Sequence, residues 1–243
     1  MEKIFPEPSF GENGKPDFDS QKTQYFSDFA VKHREYFKLH RDYGVLNKAE
    51  GWRNVSEHCL LEAVTADILA EGLGLAEEER EQLVAGAILH DFFKRRQMEM
   101  LRASGGSVEA LEASERESDK VLEERGYPNS IVRIARSAAD FRRMMDPDVS
   151  LSERIMNYVD NITINNRIGS VDERVDRNEA NPAYQKINEA GREFFGGLTE
   201  SQAQRKFGKE IQRELSHKLG INDPDSLPQW IGQRLTVRIE KSR

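Results

Sequence analysis

Apolar residues recur at helical spacing along most of the chain. Tyr25, Phe26, Phe29, Ala30, Tyr36 and Phe37 predict a first helix that ends near Leu39. Leu61, Val64 and Ile68 share one face of a helix predicted over 54–71, with Gly72 and Gly74 to stop it. Leu83, Ala87 and Ile88 form the stripe of a helix over 77–100, and Ser104-Gly105-Gly106 breaks the chain after it. Helices follow over 112–125, closed by Gly126 and Pro128, and over 130–144, closed by the Asp146-Pro147 turn. Ser150 and Glu153 have capping-box spacing and open a helix carrying Ile155, Met156, Val159 and Ile162. Beyond Gly169 the chain is more charged, with helices near 182–195 and 200–219 and a last one from about Pro228. Residues 1–20, with Pro6, Pro8, Gly11, Gly14 and Pro16, lack periodicity and read as an irregular arm. No run of alternating strands, internal repeat or low-complexity tract interrupts this pattern, so the fold class is all-α. The expected division is an arm and first helix over 1–45, a core over 46–170 and a helical extension over 171–243 packed on the same domain.

Composition narrows the function. A chain of 243 residues is about one large domain and needs no disulfide to hold a core. Its single cysteine, Cys59, excludes an internal disulfide framework and a cysteine-based zinc site. No apolar run approaches the ~18 residues of a membrane span, and the first residues lack a signal-peptide core. A cytoplasmic protein without a membrane partner is the expectation. A formal charge of −7 argues against general nucleic-acid binding while leaving room for a local basic pocket.

Candidate chemistry gathers on three helices. His58 shares a helix face with Leu61, Val64 and Ile68, and His90 shares one with Leu83, Ala87 and Lys94. Asp91 adjoins His90 at the end of the apolar run 85–89, and Asp160 lies inside the amphipathic stretch 155–162. A single histidine on an apolar face is most simply a hydrogen-bonded core residue. A buried carboxylate must find a cation or a hydrogen-bond partner, and a helix cap or an arginine would serve. Two imidazoles and two carboxylates together form a mixed nitrogen and oxygen donor set suited to Mn, Fe, Co, Ni or Zn.

The ordered set His58, His90-Asp91, Asp160 resembles the signature of the HD-domain metal-dependent phosphohydrolases. Asn54-Val55-Ser56-Glu57-His58 is similar to the segment around the first histidine in the branch that includes bacterial deoxynucleoside 5′-monophosphate phosphatases. His90-Asp91-Phe92-Phe93-Lys94 looks like an HDxxK form of the central motif. The resemblance covers about residues 50–165. It implies an HD-domain helical bundle in which His58, His90, Asp91 and Asp160 hold one divalent metal ion, with Mg added to the metals above. It implies hydrolysis of a phosphomonoester or phosphodiester of a small metabolite, with a nucleotide the leading expectation, by metal-activated water. Asp91 and Lys94 would carry the catalytic roles, Lys94 by neutralising a phosphoryl oxygen. The bland reading of Lys94 is an exposed lysine beside Arg95 and Arg96.

Departures from the family pattern are specific. The phosphatase branch ends its central motif in glutamate, where this chain has Lys94. No histidine lies between Asp91 and Asp160, which disfavours a dinuclear site and oxygenase chemistry. Arg133, Arg136 and Arg143 form a basic set that would hold a phosphate-rich substrate, or else a solvated face paired with nearby acids. Cys59 reads as a small buried hydrophobe, His217 as solvated, and Glu57 as solvent-facing or as an orienter of His58. A homo-oligomer is compatible with the sequence. The competing expectation is a catalytically silent HD-like module that binds metal, nucleotide or a protein partner.

Overall fold

The computed structural model describes residues 20–47 and 49–242, so the arm expected over residues 1–20 falls almost wholly outside the described residues. Two N-terminal helices, α1 (Ser20–Lys32) and α2 (Arg34–Asp42), lead into α3 (Arg53–Gly72) and α4 (Glu77–Leu89). These are followed by α5 (Lys94–Ala103), α6 (Val108–Glu124), α7 (Asn129–Ser137) and α8 (Leu151–Ile162). A short antiparallel hairpin, β1 (Thr163–Ile164) with β2 (Arg167–Ile168), pairs Thr163 with Ile168 and Ile164 with Arg167. The chain then runs through α9 (Val171–Glu179), α10 (Gln185–Phe194), α11 (Glu200–Lys218) and α12 (Leu227–Lys241). No described helix is long and apolar enough to cross a membrane.

The fold is all-α apart from that hairpin, which the helical periodicity did not foresee. Several expected helices are also divided. The first breaks at His33, and the one expected over 77–100 stops at Leu89, so the His90-Asp91 pair sits in a turn before α5. The helix expected from 112 starts earlier, because Ser107 accepts a hydrogen bond from the Ala110 amide as its N-cap. The one expected over 130–144 ends at Ser137, with only a short 3-10 turn at Arg143–Met145 beyond it. The capping boxes at Ser150/Glu153 and Thr199/Gln202 form as their spacing predicts.

Helices α3, α4, α7 and α8 surround the main core, where Val64, Ile88, Ile155 and Val159 are fully buried. Gly86 lets α4 and α7 approach closely: a Cβ there would lie 2.4 Å from Ile134 Cγ2. Helix α11 packs on α8 and α9, and α12 packs on α3. His40 is wholly buried; its Nε2 donates to the Ile88 carbonyl at 2.6 Å, and its Nδ1 lies 2.9 Å from the Ser56 hydroxyl. It therefore ties α2 to α3 and α4 close to the turn that carries His90.

Candidate metal centre

The α3–α4 packing and the end of α8 bring the singled-out residues into one cluster. Nε2 of His58 lies 2.9 Å from Glu62 Oε1 and 3.4 Å from Asp160 Oδ1. Nε2 of His90 lies 3.2 Å from Glu62 Oε2 and 3.7 Å from Asp91 Oδ2. Donor atoms of His58, Glu62, His90 and Asp160 all fall within 4.8 Å of one another. Ligands about 2.0–2.2 Å from one ion are separated by at most about 4.4 Å, so a small contraction closes this set on a cation.

The backbone fixes the orientation of both imidazoles. His58 Nδ1 contacts the carbonyl of Asn165 at 3.1 Å, and His90 Nδ1 contacts that of Ala87 at 2.9 Å. A carbonyl only accepts, so each Nδ1 carries a proton, and each Nε2 is the ring nitrogen turned into the cluster, where a metal would displace any proton it holds. Asn165 reaches His58 from the hairpin turn with φ 55°, a left-handed conformation that asparagine tolerates. The hairpin thus acts as a strut for the first histidine.

Three carboxylates, those of Glu62, Asp91 and Asp160, crowd the two imidazoles. The carboxylates of Glu62 and Asp160 push His58 up to about 10, overriding the opposite effect of burial. Burial raises Glu62, which has no exposed surface. Burial also works to raise Asp91, yet Lys94 and the two imidazoles hold it down at about 2. Asp160 is held well below the carboxylate range despite its burial, chiefly by Arg174 and His58. Among the described residues Glu62 meets only the two imidazoles, and Glu62 Oε2 and His90 Nε2, 3.2 Å apart, make no satisfied hydrogen bond. Orphaned buried atoms of this kind cost about 1–3 kcal/mol each. A divalent cation would satisfy both at once, so the donor chemistry fits a metal.

Two cations flank the cluster. Lys94, the first residue of α5, places Nζ 3.3 Å from Asp91 Oδ1, and Asp91 raises its pKa. Arg174 of α9 places Nη2 3.1 Å from Asp160 Oδ1. His90, Asp91, Lys94, Asp160 and Arg174 line a cleft of about 1290 Å³, while His58 and Glu62 are not among its lining residues.

A family model described as HD domain matches residues 55–174. The chain carries an HD domain. The matched span contains all four residues of the signature and both flanking cations. HD domains bind divalent metals and are in the main metal-dependent hydrolases, although some are not catalytic. No curated protein and no solved structure matches the chain.

The arginines expected to hold substrate are arranged differently. Arg143 Nε lies 2.8 Å from Glu153, and its guanidinium also reaches Asp146 and Asp148. Arg133 lies 3.1 Å from the same Glu153 and is not among the cleft-lining residues. These two arginines clamp the nearly buried carboxylate that caps α8, although Arg143 also lines the cleft. Arg136 lines the cleft as well and is held 2.9 Å from Asp119 and 3.5 Å from Asp140. Glu57 pairs with Arg53 at 3.1 Å. Cys59 is buried and His217 exposed, as their sequence settings predict.

Two site residues escaped the sequence reading. Glu62 stands four residues after His58 inside an otherwise apolar run, the spacing that stacks side chains on one helix face. That charge in an apolar stripe was the available signal. Arg174 sits in a helix whose sequence is charged throughout, so nothing local distinguished it.

Proposed function

We propose that this protein is a divalent-metal-dependent phosphohydrolase acting on a small phosphorylated metabolite, with a nucleotide as the leading substrate. The observation that carries the reading is the convergence of two oriented Nε2 atoms and buried carboxylates beside a cleft flanked by Lys94 and Arg174. His58, His90, Asp91 and Asp160 would hold the ion. When bound, such an ion lowers the pKa of water and polarises a phosphoryl oxygen.

The rest follows from the chain's own residues. Lys94 and Arg174 stand on different helices and face different carboxylates of the cluster, so a phosphoryl group between them meets a cation on each side. Displacement at phosphorus needs chiefly positioning and charge neutralisation, which these two groups supply. Asp91 holds Lys94 by its Oδ1 and turns Oδ2 toward His90, so one carboxylate links the phosphate-facing cation to the metal donors. Phe93, Phe141, Tyr184 and Phe194 also line the cleft and offer apolar surface for a base. The volume exceeds the roughly 300–1000 Å³ of common ligand pockets, which leaves space for a nucleotide.

The test is hydrolysis of nucleotides, cyclic nucleotides and generic phosphoesters with Mn2+, Co2+, Ni2+, Zn2+ or Mg2+, run beside Asp91→Ala. Turnover by the wild type that disappears in the folded variant supports the proposal. Stoichiometric metal binding without turnover on any substrate contradicts it and favours a silent binding module.

A further inference from the structure

We infer that Glu62 is itself a ligand of the metal and biases the site toward hard, six-coordinate cations such as Mn2+ over tetrahedral Zn2+. The inference rests on the metal-site reading above and adds a residue that the HD signature does not contain.

Three observations carry it. Glu62 is wholly buried, yet its oxygens face the Nε2 atoms of two different histidines, at 2.9 Å and 3.2 Å. The histidines are the only partners these oxygens meet among the described ion pairs, and neither oxygen has a neutral hydrogen-bond donor. A glutamate serving as an orienter would instead hold the Nδ1 atoms, but those are already taken by the Asn165 and Ala87 carbonyls. Glu62 therefore stands on the side of the imidazoles where the metal belongs.

The consequence is a change in coordination number and charge. His58, His90, Asp91 and Asp160 of the signature supply four donors. Adding Glu62 gives five protein donors, three of them carboxylates, which suits a six-coordinate ion that favours oxygen. Fewer positions would then stay open to water and substrate, so more of the phosphate's charge would fall to Lys94 and Arg174.

Isothermal titration of the metal-free full-length chain with Mn2+ and with Zn2+ tests this, comparing wild type, Glu62→Gln and His90→Ala. The expected result is a loss of Mn2+ affinity of at least about ten-fold in folded Glu62→Gln, with a smaller loss for Zn2+. Unchanged Mn2+ affinity, or equal losses for the two ions, overturns the inference. Should Glu62→Gln fail to fold, a crystal structure of the wild type with Mn2+ decides. A Glu62 oxygen within about 2.0–2.3 Å of the ion supports the assignment, and one beyond about 3 Å overturns it. His90→Ala separates the two levels of failure. If it leaves metal binding intact, the metal-site reading falls as well. If it abolishes binding while Glu62→Gln leaves Mn2+ affinity unchanged, only the role of Glu62 falls.

Discussion

His40 and Glu200 carry opposite pH dependences through nearly the same pH range, and removing each in turn exposes the other. Complete burial lowers His40 from its ordinary 6.5 to about 4, although the hydrogen bond to the Ile88 carbonyl works the other way. Between those values the unfolded chain binds the extra proton, so His40's contribution is fully present above about pH 6.5 and lost as pH falls toward 4. At 1.36 kcal/mol per unit, the loss is about 3 kcal/mol. Glu200, at the start of α11, runs in reverse. Burial raises it from 4.5 to about 7, with Arg142 opposing and Asp140 and Glu115 assisting. Here the folded chain holds the proton, so this contribution is complete below about pH 4.5 and lost as pH rises through 7, again by about 3 kcal/mol. Denaturant unfolding of wild type, His40→Gln and Glu200→Gln at pH 4.5, 6 and 8 reads both. Relative to Glu200→Gln, the wild type should lose about 3 kcal/mol between pH 4.5 and 8. Relative to His40→Gln, it should gain most of that amount over the same rise. Stability curves that stay parallel across the three proteins would refute the reasoning.

Three further outcomes follow from the packing and the site. Gly86→Ala, which in an ordinary helix would add stability, should cost about 1–3 kcal/mol here, because the added Cβ meets Ile134 Cγ2 at 2.4 Å and the Ala135 backbone nitrogen at 3.2 Å; thermal melting with unchanged helical circular dichroism checks it. Arg143→Ala should destabilise by about 1–3 kcal/mol through the loss of its charged hydrogen bonds to Glu153, while turnover stays near the wild-type value; a selective loss of activity would return Arg143 to the substrate site. Removal of divalent metal by a chelator should lower the melting temperature by roughly 5–11 °C, the equivalent of ~2.7 kcal/mol at a hundred-fold excess over Kd; differential scanning calorimetry with and without Mn2+ measures it.

Fold class and most of the candidate metal donors were legible because both rest on local spacing. His58 on an apolar helix face, His90-Asp91 after an apolar run and Asp160 within an amphipathic stretch each stand out in the sequence alone, and the helices then bring them together. What escaped depends on tertiary contact. The HD turn was hidden because the apolar stripe of α4 continues in register toward Lys94, and only the close approach of α7 and the burial of Phe92 and Phe93 favour a turn there. The hairpin that supports His58 is only two residues per strand, too short to show alternation. That Arg133 and Arg143 share one buried carboxylate, Glu153, is likewise not visible in the sequence. Arg174 became visible only when the fold set α9 against α8.

The central claim is that this constellation exists to hold one divalent ion. Elemental analysis of folded wild type and folded His90→Ala, after equilibration with Mn2+ and removal of free metal, tests it most directly. The account predicts one ion per chain in the wild type and essentially none in the variant. Equal metal content in the two proteins, or none in the wild type, would contradict it.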